Sequence, residues 1–305
     1  PTSEARPRYA PRKAKSYDTD KLHQYVVPDL SMQDLLSAIP TQCFRRSTLH
    51  SSMYVMIDFA QAAVLFYAAS WIDPLTQDMH WSFLSMSEES TRSALRFILW
   101  GLYSFCQGLV FTGIWVLAHE CGHQAFSPSK FINNTVGWFL HSALLVPYHS
   151  WRISHARHHA ATGHMTRDEV FVPSTREERG LLPLRPVTDD SPVVTDKTTW
   201  SEWLTELLED APLFNLLELI IQQLFGWQLY LLFNVSGQKH YPRYTNHFMP
   251  NSVIFDKRHR NQIIMSNVGI LLTLTVLWTW ARHASNGWFD VMRYYGIPYM
   301  WTNHW

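Results

Sequence analysis

Cysteine is scarce in this 305-residue sequence. The three cysteines, Cys43, Cys106 and Cys121, are odd in number and far apart, so we predict no disulfide framework of the kind found in small secreted domains. Cys121 lies within a histidine-rich motif, where packing is favoured over metal ligation. No apolar stretch follows the N-terminal basic residues, so no signal peptide is expected.

The chain also lacks net charge, because 25 Lys and Arg balance 25 Asp and Glu. A protein that binds nucleic acid needs a broad basic face, so nucleic acid is not an expected partner. Internal repeats and low-complexity tracts are missing as well. The mean hydropathy of -0.14 indicates that apolar segments alternate with large polar ones.

Aromatic residues, in contrast, are plentiful, with 14 Trp, 17 Phe and 13 Tyr. Aromatic side chains gather where a membrane meets water. Four apolar stretches, 53–72, 94–118, 211–235 and 263–281, approach or exceed the ~20 residues that a bilayer crossing requires. We therefore predict an all-α integral membrane protein with about four transmembrane helices and a cytosolic, histidine-rich cap.

The orientation of these spans is predicted from basic residues. Residues 1–22 are rich in Pro, Arg and Lys, which predicts a disordered basic arm that stays in the cytosol. Segment 131–147 is apolar but short, and we interpret it as re-entrant or interfacial. The loop between the stretches 211–235 and 263–281 conflicts with this orientation. Two crossings would put it on the far side of the membrane, although it is basic. Its charged residues are Lys239, Arg243, Lys257, Arg258 and Arg260, with Asp256 as the single acid.

Two shorter helices are predicted outside the spans. Residues 28–40 show an amphipathic pattern that ends at Pro40, with Asp29 or Ser31 as the N-cap. In 200–210, apolar residues follow i, i+3, i+4, i+7 and i+8, which indicates a helix lying on the membrane, although its opposite face is acidic.

Two histidine groups dominate the middle of the chain. The motif HECGHQAF contains His119 and His123, and WRISHARHHAATGH contains His155, His158 and His159. Positions i, i+3 and i+4 share one face of a helix, so each group presents its imidazoles together. A catalytic zinc takes about three protein ligands. Five imidazoles therefore point to two metals, or to one metal and some histidines that bind no metal.

Several interpretations of these motifs stay open. HECGH also fits H-E-x-x-H, the zinc-protease pattern in which the glutamate is the general base, here Glu120. All-imidazole sites suit zinc, copper, iron or nickel, and spacing does not choose among them. His141 and His149 are interpreted as packed or interfacial residues. Three further residues are candidates for orienting the metal ligands through hydrogen bonds without binding the metal themselves. They are His164, Asp168 and Glu169.

The motifs HECGHQAFS and WRISHARHHAATGHMTRDEVFVP closely resemble the first and second histidine boxes of membrane fatty acid desaturases. The match is best with the fungal endoplasmic-reticulum Δ12 (oleate) desaturases. It extends over residues 25–305 through LYLLFNVSG, YTNHFMPNS and YYGIPYMWTNHW. The resemblance makes 23–305 a membrane desaturase domain and implies a multi-pass protein of the endoplasmic reticulum with its histidines facing the cytosol.

That family implies a non-haem di-iron centre held by His119, His123, His155, His158 and His159. The implied reaction converts an oleoyl chain of a phospholipid to a linoleoyl chain, with dioxygen and electrons from cytochrome b5. No HPGG haem motif occurs, so the donor would be a separate protein, and the arginines around the second box suit an acidic one. Omega-3 (Δ15) desaturation and acyl hydroxylation are alternatives on the same scaffold.

The family also has a third box, HxxHH, beyond the fourth span, and this chain stops at Trp305 without one. The sequence therefore resembles a desaturase truncated at its C-terminus. We expect such a fragment to be inactive alone, because at least one iron lacks ligands. A metal-binding membrane protein without activity is the remaining, non-enzymatic alternative.

Overall fold

The computed structural model describes residues 29–78, 80, 87–175, 178 and 211–302. Among these residues the regular elements are all helical, as predicted. The predicted arm at 1–22 and the predicted helix at 200–210 lie outside the described residues. The chain divides into two units, Pro1–Arg45 and Arg46–Trp305.

The first unit contains one short capped helix, α1 (Met32–Ala38), followed by a 3-10 turn at Thr41–Phe44. The Ser31 hydroxyl accepts a hydrogen bond from the backbone N–H of Asp34 at 3.2 Å, and the Asp34 carboxylate accepts one from the N–H of Ser31 at 2.9 Å. This reciprocal arrangement is a capping box. It confirms the predicted N-cap at Ser31.

The second unit is built from helices that we label in chain order. They are α2 (Thr48–Ser70), α3 (Ile72–Gln77), α4 (Glu88–Gly122), α5 (Lys130–Ala143), α6 (Tyr148–Ala160), α7 (Pro212–Phe233), α8 (Arg260–His283), α9 (Trp288–Val291) and α10 (Ile297–Thr302). A 3-10 turn at Lys257–His259 leads into α8, and a π-helical turn at Met292–Gly296 joins α9 to α10.

Four of the described helical segments are long and apolar enough to cross a membrane. They are Thr48–Gln77, Glu88–Gly122, Pro212–Phe233 and Lys257–His283. Large apolar side chains project from them, and Phe97 and Leu213 are 80% and 81% exposed. Apolar surface of this extent is stable against lipid and not against water. The chain is therefore an integral membrane protein, and the four apolar stretches are confirmed as helices.

Helix α4 delivers the first histidine group. It has 35 residues, whereas ~20 are enough to cross the hydrocarbon core, so it has surplus turns and His119 lies on the last of them. The helix ends at His123 because Gln124 adopts a positive φ of 62°. The backbone N–H of Ala125 then bonds back to the carbonyl of Glu120 at 2.9 Å, as in a left-handed C-terminal cap.

Helix α5 has 14 residues, too few to cross a bilayer, in agreement with the interpretation of 131–147 as a non-crossing segment. It packs tightly against α4 and α6 at Gly137. A Cβ atom at position 137 would lie 2.3 Å from the ring of Tyr148 and 2.8 Å from the Cβ of Cys121. Only glycine lets the three helices approach this closely, and the approach sets the distance between the two histidine groups.

Gly137→Ala is expected to overpack this contact and to lower the free energy of unfolding by ~1–3 kcal/mol. The measurement is the midpoint of thermal unfolding of the protein in detergent. Gly101→Ala is the matched control, because a Cβ atom there meets nothing within 4 Å. The packing argument fails if both substitutions change the midpoint equally.

The chain beyond α8 runs back along α4, which the sequence analysis did not predict. Near its start, Arg293 forms an ion pair with Asp73 at 2.6 Å, and Asp73 also pairs with Arg96 of α4. At its end, Thr302 lines the same cavity as Trp115, close to the histidine end of α4. The helical stretch 288–302 therefore runs alongside α4 towards its histidine end.

The basic loop between α7 and α8 lies beside α6. The Nε2 atom of His247 is 3.2 Å from the hydroxyl of Ser154, and Arg157 forms an ion pair with Asp256 at 3.2 Å. Two crossings at 211–235 and 263–281 would place this loop on the membrane side opposite to α6. The contacts correct that expectation.

Candidate metal centre

Four histidines from α4 and α6 converge at the end of α4. His119, His123, His155 and His159 each offer one ring nitrogen, and these nitrogens all lie within 4.8 Å of one another. The Nε2 atoms of His119 and His155 are 2.9 Å apart, and those of His155 and His159 are 3.1 Å apart. Nε2 lone pairs brought this close repel unless a proton or a metal ion lies between them. The donor set therefore fits a metal ion.

His158, the fifth predicted ligand, does not belong to that group. Its ring centroid lies 6.2 Å from that of His155 and 5.9 Å from that of His159. Its Nδ1 atom is 2.7 Å from a carboxylate oxygen of Asp168. When the carboxylate accepts the Nδ1 proton, the Nε2 atom keeps its lone pair for a metal. Ligation by His158 stays a prediction.

Asp168 is fully buried and held by several donors. The backbone N–H groups of Val170 and Gly163 bond to its carboxylate at 2.9 and 2.8 Å. Burial acts to raise the pKa of Asp168, but these hydrogen bonds and the one from His158 outweigh it and hold the pKa below its usual range. Asp168 is therefore ionised and orients His158, as one of the candidate orienting carboxylates was predicted to do.

The other two candidate orienting residues contact different partners. Glu169 accepts from Arg157 at 3.4 Å, and the Nδ1 atom of His164 accepts from the backbone N–H of Thr166 at 3.2 Å. Arg157 also pairs with Asp256. These contacts anchor the second histidine motif and do not involve the rings of His155, His158 or His159.

An aromatic wall closes one side of the histidine group. Trp115 stacks on His119 with ring centroids 5.5 Å apart, and Trp151 stacks on His155 at 4.4 Å. His141 is buried against both tryptophans, as expected for a packed residue. Burial, followed by the neighbouring histidines, lowers the pKa of His155 to about 3. His155 is therefore neutral at physiological pH, which is the form that binds metals.

A buried hydrogen-bonded cluster fixes α6 one residue before His155. The hydroxyl of Ser154 lies 3.0 Å from that of Tyr230, and the Nε2 atom of His247 lies 3.0 Å from the Tyr230 hydroxyl. The sequence analysis missed this cluster, because its members are up to 93 residues apart and share no motif.

A cavity of about 240 Å³ lies beside the wall. Trp115 contributes to both, since its ring stacks on His119 and also lines the cavity. The full lining is Thr112, Trp115, Val116, Val146, Trp227, Tyr299 and Thr302. A mostly apolar cavity next to the histidine group suits an apolar ligand.

The geometry gives no support to a zinc metalloprotease. A carboxylate of Glu120 lies 3.0 Å from the Nδ1 atom of His119, whereas the histidine group is formed by the Nε2 atoms. The general base of a protease must instead reach the water on the metal. In this structure Glu120 contacts the His119 ring at its Nδ1 atom, away from the Nε2 atoms of the histidine group.

Comparison with known proteins agrees with this geometry. The fatty acid desaturase family matches residues 95–305. Delta(12) fatty acid desaturases of Mortierella isabellina and Mortierella alpina are each 44% identical over 281 residues, which are 92% of this chain and 64% of theirs. An oleate hydroxylase of Claviceps purpurea is 37% identical over 297 residues, 92% of this chain and 56% of its own.

No solved structure matches the chain. The chain spans about 64% of the length of its Mortierella relatives. The family match covers both histidine groups, the aromatic wall and the cavity-lining residues from Thr112 to Thr302. On these grounds the chain belongs to the fatty acid desaturase family.

Proposed function

We propose that this chain forms the membrane core of a Δ12 acyl-lipid desaturase, which converts oleoyl to linoleoyl chains. The observation that carries the proposal is the group of four Nε2 atoms at the end of a membrane helix, beside an apolar cavity. The names of the two Mortierella relatives supply the position of the double bond.

The donor set supports two iron ions as the cofactor. All-imidazole sites suit iron, and His119, His123, His155 and His159 form one ready group. His158, oriented by Asp168, offers a further imidazole nearby as a ligand. When bound, the iron pair supplies the oxidising power that dioxygen and electrons generate for breaking unactivated C–H bonds.

The substrate is an oleoyl phospholipid that lies in the same bilayer as the protein. The cavity beside Trp115 receives the acyl chain and brings its reacting carbons next to the histidine group. Two hydrogens leave vicinal carbons of the chain. Together with two electrons from the donor and two protons from water, they reduce dioxygen to two waters, so atoms and electrons balance. The aromatic wall of Trp115 and Trp151 keeps bulk water from one side of the group.

Cytochrome b5 is the proposed electron donor, and the histidine side faces the cytosol of the endoplasmic reticulum. Arg157 is engaged in ion pairs, so it contributes little to docking. The turn at Lys257–His259 offers more, since Lys257 is exposed and the Arg258 side chain is 79% exposed, although Arg258 also pairs with Asp256 at 3.4 Å. A basic patch beside the site attracts an acidic donor.

Acyl hydroxylation is the second candidate, because one relative is named an oleate hydroxylase. The same cavity and histidine group serve both reactions. They differ in whether the second carbon loses a hydrogen or the first gains a hydroxyl. The product therefore distinguishes them.

The test is expression of the complete reading frame that contains this chain in a host that makes oleate but no linoleate. The proposal predicts a new Δ9,Δ12 diene in the host's fatty acids. A hydroxy acid would move the assignment to the second candidate, and a Δ9,Δ15 diene to omega-3 desaturation. The absence of any new acid, with the protein present in the membrane, would overturn the proposal.

A further inference from the structure

We propose that α7 lies in the headgroup region of the membrane on the histidine side and does not cross the bilayer. Helix α8 then crosses the bilayer, and the stretch 288–302 turns back alongside α4. This assignment conflicts with the length and composition of α7, which alone are sufficient for a span. It follows from where the two ends of α7 are held.

The C-terminal end of α7 is fixed on the histidine side. Just after it, the carbonyl of Ser236 accepts from the backbone N–H of Val172 at 2.8 Å. The side chain of Gln238 donates to the carbonyl of Asp168 at 2.7 Å. Asp168 in turn holds His158, so this end of α7 and the histidine motif belong to one hydrogen-bonded assembly.

The N-terminal end of α7 starts from the same side. Val172 lies on the histidine side, where it bonds to Ser236, and α7 begins at Pro212. In the sequence from 176 to 211, no uncharged run exceeds five residues. A crossing needs ~20 predominantly apolar residues, and the sequence of this segment offers no apolar run of that length. Both ends of α7 therefore lie on one side.

The side chains of α7 fit an interfacial helix. The polar residues Asn215, Glu218 and Gln222 follow i, i+3 and i+7 and share one face, while leucines and isoleucines such as Leu219 and Ile220 occupy the others. Nearly all of 212–223 is exposed. A helix with a polar stripe and a broad apolar face lies at the boundary between headgroups and acyl chains.

This position also removes the conflict over the basic loop. With α7 on the surface, Lys239, Arg243 and Lys257 lie on the same side as the histidines, and the positive-inside tendency no longer conflicts with their position. Helix α8 then crosses to the far side, where Arg293 pairs with Asp73. The stretch 288–302 then runs back alongside α4 towards the histidine side.

The test is labelling of single cysteines in sealed microsomes with a membrane-impermeant maleimide, before and after detergent. The background is Cys43→Ser, since Cys106 and Cys121 lie within α4. The reporters are Ala211→Cys at the start of α7, Tyr244→Cys in the exposed loop after it and His80→Cys before α4.

The proposal predicts that the cysteines at 211 and 244 react from one side and that the cysteine at 80 reacts from the other. It is overturned if the cysteine at 211 reacts from the same side as that at 80, because α7 then crosses. It is equally overturned if the cysteine at 244 is labelled from the same side as the cysteine at 80. The labelling does not depend on catalysis, so its outcome is separate from that of the fatty acid profile.

Discussion

Replacing His155 with glutamine is expected to remove bound iron from the purified protein and the new diene from the host's fatty acids. The Nε2 atom of His155 lies within 2.9–3.2 Å of those of His119, His123 and His159, so His155 is the centre of the group. Without it, the remaining three nitrogens lose their common neighbour. The measurements are iron per chain by mass spectrometry and the fatty acid profile of the same cells.

The control for this substitution is His240→Gln. His240 is exposed on the loop after α7, outside the histidine group, and its substitution is expected to leave both iron and product unchanged. Elution of both variants as a single detergent-solubilised species shows that they are folded. Unchanged iron content in the His155 variant would remove this residue from the metal site.

Replacing Asp168 with asparagine is expected to weaken iron binding about 10–100-fold. Asparagine keeps the shape of the side chain but removes the charge that holds a proton on the Nδ1 atom of His158. The His158 ring then loses its fixed tautomer and part of its basicity as a ligand. The measurement is the concentration of a chelator that removes half of the iron, with Asp78→Asn as the control at an exposed acid in the loop before α4.

A double substitution separates positioning from general destabilisation. If Asp168 acts through His158, then adding Asp168→Asn to His158→Gln causes little further loss of iron affinity, because the two effects are coupled. Full additivity of the two losses would show that Asp168 stabilises the loop from Gly163 to Phe171 without tuning the ligand.

Much of the helical architecture was predictable because it depends on local pattern. The apolar stretches, the cap at Ser31 and the short α5 all follow from spacing along one segment. The grouping of imidazoles within each motif also follows, since i and i+4 positions share a helix face. His155 and His159 obey that rule, whereas His158 turns to Asp168, a partner ten residues away that helix geometry does not specify.

The remaining features depend on contacts that sequence patterns do not encode. Hydropathy measures the length of an apolar segment but not the side on which each end is held, so it did not place the basic loop beside α6. The return of 288–302 along α4 rests on the ion pair of Arg293 with Asp73, 220 residues apart. The cluster of Ser154, Tyr230 and His247 is similarly non-local.

The central claim is that imidazoles from α4 and α6 share a metal centre. It is tested most directly by iron X-ray absorption spectroscopy on the protein purified with its metal. The account predicts nitrogen neighbours with the scattering signature of several imidazole rings, and the loss of that signature when His119, His123, His155 and His159 are replaced together. Zinc as the only bound metal, or iron without imidazole scattering, would contradict it.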